Sequence, residues 1–138
     1  MNESTHPSIG LTTRLAVDFD AALARVVAAL KDEGFGVLTR IDVHATLQEK
    51  LGVSFRPYTI LGACNPPLAY RALTTAPEVG LLLPCNVVVE QVDAGACQVA
   101  IADPTHLLTV VGRPELAPIA AEARSRLERV IAALAAPA

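Results

Sequence analysis

Two cysteines in this chain are each followed at once by an asparagine, Cys64-Asn65 in LGACNPP and Cys85-Asn86 in LLPCNVVV, and the only other asparagine is Asn2. A thiol at the start of a helix has its thiolate stabilised by the free backbone amides and the helix dipole, and becomes a nucleophile. Cys64 occupies such a position, because the following NPPLAYRAL opens as a short helix with Asn65 as N-cap and Pro66 in the first turn. Asn65 therefore has a sufficient structural role. Cys85 follows Pro84 within a run that is apolar almost throughout from Leu81 to Val89. Proline donates nothing to a ladder, so Pro84 predicts an edge strand or a bulge, a device that re-aims side chains into sites. Asn86 has no such account. Buried without a partner its amide would cost about 1–3 kcal/mol, so it must reach the neighbouring backbone or a ligand. Cys97, with no asparagine beside it, reads as core.

Tyr58, Ile60, Gly62 and Cys64 alternate along one strand face, which puts the Tyr58 ring on the side of the Cys64 thiol, and Tyr70 lies one turn into the helix after Asn65. The candidate ligand-binding set is thus Tyr58, Cys64, Asn65, Tyr70, Cys85 and Asn86, sharing one pocket if the two strands are neighbours. Other chemistry lacks its local signs. His6, His44 and His106 are scattered without metal-ligand spacing, no C-x-x-C occurs, and neither G-x-S-x-G nor a phosphate-binding glycine loop is present. No metal is expected, and no cofactor is indicated. Asp18, Asp42 and Asp103 read as helix caps rather than as an acid/base pair. Three functions remain: binding of a small molecule or redox ligand near the two Cys-Asn units, a thiol enzyme using Cys64 but lacking an evident general base, and a structural dimerisation module in which the doublet only caps and packs.

The elements that position these residues follow from hydrophobic period and punctuation. A strand is predicted over 8–17, then a helix capped by Asp18 and stopped by Gly34, with Phe19, Leu23, Val26, Val27 and Leu30 inward. A strand over 35–41 leads to a short helix with Asp42 as cap, Val43, Leu47 and Leu51 inward, and Gly52 as its end. Strands are expected over 57–64, 81–89 and 97–102, the last two joined by a turn at 92–96. A short helix begins at Asp103-Pro104. A long one over about 114–134 buries Leu116, Ile119, Ala123, Leu127, Val130, Ile131 and Leu134, and carries Glu122 with Arg126 and Arg124 with Glu128 as solvated i,i+4 pairs.

This order predicts an α+β fold, a two-layer sandwich of a mainly antiparallel sheet with helices on one face and a long C-terminal helix. The strand over 81–89 is apolar on both sides, so the face without helices needs a cover, and a second copy packed sheet to sheet supplies one. A homodimer is expected. At 138 residues the chain fits a single domain, 1–138, able to bury roughly 68% of its unfolded surface without a metal or disulfide. It is 52% hydrophobic and 18% charged, which excludes a disordered chain. A net charge of −3 and 4% aromatic residues disfavour nucleic acid, which asks for a basic field and stacking platforms. With no apolar run of about 20 residues and no signal-peptide pattern in MNESTHPSIG, a cytoplasmic protein with free thiols and no membrane association is expected.

Taken together, PYTILGACNPPLAYRAL, the following GLLLPCNVVVEQV and the upstream EGFGVLTRIDVHATLQEKLGV resemble the domain-of-unknown-function family 302, over about residues 9–111. The resemblance implies a small cytoplasmic bacterial or archaeal α+β domain that pairs through its sheet, and it supplies no established activity. Both motifs are intact, as Cys64-Asn65-Pro66 and Pro84-Cys85-Asn86. Family members commonly carry histidine where this chain has Tyr70, which weakens any mechanism needing a histidine beside Cys64.

Overall fold

The computed structural model describes residues 9–136, so His6 and the first residue of the strand expected over 8–17 lie outside the described residues. Strand β1 (Gly10–Leu15) leads into helix α1 (Phe19–Asp32), whose Asp18 cap accepts from the Ala21 amide at 2.8 Å. The helix ends where Gly34, at φ 85°, turns the chain so that the Gly34 and Phe35 amides donate back to Lys31 and Leu30. There follow β2 (Gly36–Asp42), α2 (Val43–Leu51), β3 (Tyr58–Cys64), α3 (Pro66–Thr75), a 3-10 segment (Pro77–Leu82), β4 (Cys85–Asp93), β5 (Ala96–Ala102) and α4 (Pro104–Thr109). A short 3-10 turn, Pro114–Leu116, starts the long helix α5 (Ala117–Ala135).

The five strands form one antiparallel sheet in the order β1-β5-β4-β3-β2, with α1 carrying the chain from one edge strand to the other. This is the expected α+β sandwich. Pairing places Leu61, Val87, Val99 and Ile101 on one sheet face, where they form the main core with Leu23, Val26 and Leu30 of α1 and Leu127, Val130 and Leu134 of α5. Burying such side chains supplies roughly 1.5–3 kcal/mol each and is the chief force holding the layers together. A second cluster, Leu68, Ala72, Ala76, Val79, Leu116, Ile119 and Ala123, joins α3 and its 3-10 segment to the start of α5.

Several local expectations need correction. The strand expected over 81–89 starts only at Cys85, because Leu81 and Leu82 end a 3-10 segment. Pro84 marks neither an edge nor a bulge: β4 is the central strand, and the proline stands just before its first residue, outside the ladder. Val27 is 41% and Leu51 68% exposed, so neither faces inward, and α2 has no buried residue at all. Asp42 does not cap α2 with its side chain. Its carboxylate instead accepts from the buried Thr59 hydroxyl at 2.8 Å and from Arg40, and the Thr59 bond is the main reason its carboxyl is held below the ordinary value.

The face opposite the helices shows one continuous row across all five strands, Thr12, Ala100, Val88, Ile60 and Ile41, each opposite the next in register. Beside it runs a polar row, Arg14, Gln98, Glu90 and Tyr58. No described helix is long and apolar enough to cross a membrane.

Candidate functional site

The two sequence clusters meet at one end of the sheet, and a cavity lies at their seam. It is small, with about 50 Å³ of enclosed room between the ends of β3 and β4 and helices α3, α4 and α5. Small side chains make the room: Ala63 of β3, Ala69 and Ala72 of α3 and Ala123 of α5 line it, with Leu68, Val79, Leu107 and Ile119 closing the walls. In a protein interior packed near crystal density, four alanines facing one space leave a gap that a neighbour does not fill.

Three of the six residues singled out by sequence border this cavity: Cys64, Asn65 and Cys85. Cys85 is the cross-strand partner of Ala63 and packs on the main core. Cys64 ends β3, and strand alternation sends its side chain with Gly62 toward the other face, so it stands at the rim. Asn65 is spent on structure. Its Oδ1 accepts from the Leu68 amide at 3.2 Å as the cap of α3, and its Nδ2 donates to the Glu33 carbonyl at 3.5 Å.

The other three lie elsewhere. Asn86 pairs with Gly62 on the open face and is exposed, so its amide is not buried and needs no protein or ligand partner. Tyr58 shares the Cys64 face but sits six residues away, about 20 Å along the strand. There its ring meets Phe55 edge to face and Arg56 lies over both. Tyr70 is 73% exposed on the outer side of α3. What sequence reading missed is the contribution of α4, whose Pro104, Leu107 and Leu108 form one wall. The apolar spacing of Leu107 and Leu108 was visible, but which space they face is a tertiary fact.

Electrostatically the cavity is bare. None of its lining side chains is charged, and burial pushes the Cys85 thiol up to about 11, with the neighbouring Cys64 adding to the rise. Cys85 is therefore a protonated, slow thiol at neutral pH. Cys97, expected as core, is fully buried, donates toward the Val17 carbonyl at 3.6 Å, and is likewise raised by burial. Among the described residues no group of three or more His, Cys, Asp or Glu could hold a metal.

The raised Cys85 value has a measurable consequence. A thiol that ionises near 9 when unfolded and near 11 when folded keeps its proton longer in the native state, so its contribution to stability is complete below pH 9 and is lost as pH rises from 9 to 11. Denaturant titrations across that range should show a shallower loss of stability in Cys85→Ala than in the wild type. Parallel curves for the two proteins would show that the folded thiol ionises as freely as the unfolded one.

An antiparallel sheet backed by helices on one face, with an uncharged cavity where sheet end and helices meet, defines a small α+β domain. Comparison with known proteins is narrower. The chain matches the family model described as "Domain of unknown function DUF302" over residues 11–134, and it belongs to that family. It is also similar to a solved structure, the crystal structure of uncharacterized conserved protein DUF302 from Bacillus stearothermophilus. The two share 35% sequence identity with a TM-score of 0.85, covering 93% of this chain and 99% of that one. The family match extends beyond the 9–111 carried by the sequence resemblance and takes in most of α5. No curated protein matches the chain.

Proposed function

We propose that this protein binds a small, uncharged, apolar molecule in the cavity between the sheet end and helices α3, α4 and α5. The observation that carries the reading is the lining: no charged side chain, two thiols at the sheet end, and an asparagine whose amide is already engaged. A charged ligand would lose its hydration there and gain no partner, whereas an apolar one gains roughly 25 cal/mol for each Å² removed from water. The thiol-enzyme reading, which rests on Cys64, fares worse because no residue lining the cavity is a general base. The test is a titration with the neutral fluorophore 1-aminoanthracene, together with alkylation of Cys85 by N-ethylmaleimide. Saturable fluorescence with slowed Cys85 alkylation is expected. A linear, unsaturable signal with unchanged alkylation would remove the reading.

A second reading, pairing of two copies through the open sheet face, is favoured by the row Thr12, Ala100, Val88, Ile60 and Ile41, of which Ile41 is 50% exposed. A central β-branched pair, Val88 opposite Ile60, is the kind of surface that a second sheet would bury. Sedimentation should then give a dimer mass for the wild type and a monomer mass for Val88→Lys, with unchanged circular dichroism. A wild-type monomer at micromolar concentration defeats it.

A further inference from the structure

The wall formed by α4 differs from the others in how it is held. Helix α4 has six residues, far short of the about 12–15 that an isolated helix needs, so tertiary contacts alone keep it in place. Only Pro104 of α4 is buried. At and beyond its end the backbone makes only i,i+3 bonds: Val110 donates to Leu107 at 3.4 Å, Val111 to Leu108 at 3.2 Å and Gly112 to Thr109 at 3.1 Å. The segment then turns at Gly112, with φ 72°, a conformation that glycine adopts without cost.

On its far side α4 meets empty space as well. A second cavity is lined by Thr105, Leu108 and Thr109 of α4 and, across from them, by Leu116, Ala117 and Ala120 at the start of α5. Leu108 lines both cavities. The helix thus stands between two spaces, with room on its second side bounded by the start of α5. At its N-terminal end it is pinned. Asp103, 3% exposed, accepts from the Thr105 amide and hydroxyl and is ion-paired with Arg124 of α5, while His106 Nδ1 lies 3.8 Å from the same carboxylate.

We propose that α4 is a lid: pivoting between the Asp103–Arg124 anchor and Gly112, it swings toward the second cavity to admit a ligand to the first and closes over it. This rests on the ligand-binding reading above, and it adds the route by which an apolar molecule enters.

Amide hydrogen exchange on the full chain tests it, with 1-aminoanthracene as the probe. Without probe, amides over 105–111 should exchange at least tenfold faster than those of α1, and saturating probe should slow them by about tenfold. Arg124→Met frees the anchor and should speed probe association several-fold in stopped flow, while Glu128→Gln, which removes only the other partner of Arg124, should leave the rate unchanged. Saturable probe fluorescence with no protection over 105–111, or an association rate unmoved by Arg124→Met, overturns the lid and leaves the pocket standing. Absence of any saturable probe signal overturns both.

Discussion

Replacing Gly62 with valine is expected to lower stability by about 3 kcal/mol, enough to drop Tm by roughly 10 °C in a chain of this size. Gly62 lies in β3 between β2 and β4, with its missing side chain aimed at the open face. A Cβ built there would stand 2.7 Å from Cγ of Pro84 and would overlap the Thr39 hydroxyl. The threonine can rotate away, but the proline ring is fixed to the backbone that leads into β4. Thr39→Ala should therefore recover only part of the loss in a double-mutant comparison, and Gly62→Ala should cost about 1–2 kcal/mol. Thermal melts within about 2 °C of wild type for Gly62→Val would show that the Pro84 segment yields easily, and that the sheet end is less rigid than its packing indicates.

Filling the cavity from α3 is the second large effect. Ala72 is 3% exposed and lines the cavity, and phenylalanine there would fill the space between Ala63 and Ile119. Probe affinity should fall by tenfold or more, at least about 1.4 kcal/mol. Stability should fall as well, by about 1–3 kcal/mol, since Ala72 belongs to the second core cluster and the ring exceeds the free room, so circular dichroism must show the variant folded before affinity is read. Tyr70→Ala, two residues earlier and on the exposed side of the same helix, should leave affinity unchanged. The pair separates the site as sequence alone would draw it, with Tyr70 included, from the site as the helices enclose it. Equal affinities for wild type and Ala72→Phe would place the bound probe somewhere other than this cavity.

Charge reading shows a similar division. The pairs Glu122 with Arg126 and Arg124 with Glu128 are present, at 3.4 Å and 3.1 Å. Sequence spacing reads both as solvated surface pairs, each contributing a few tenths of a kcal/mol. Yet Arg124 also reaches the buried Asp103, and Glu122 is shared with Arg71 of α3. These cross-element contacts tie α5 to α4 and α3, and helical spacing carries no information about them.

What the sequence determined by itself is whatever neighbours in the chain decide. The Asp18 and Asn65 caps, the stop at Gly34, the proline at the start of α3 and the stripes of α1 and α5 are set by interactions over three or four residues, which spacing displays directly. The order of strands and helices was enough for the α+β sandwich. Only the tertiary structure decided which face each strand residue takes beside which partner. Register turned Asn86 from a puzzle into a solvated side chain, set Cys85 in the core but Cys64 at the rim, and left Tyr58 a strand's length away. The cavity itself is a space left between residues as distant in sequence as Ala63, Ala72 and Ala123. The stretch from Ala63 to Ala72 supplies two of its walls, but α4 and α5 close it from far along the chain, so the space as a whole has no local signature.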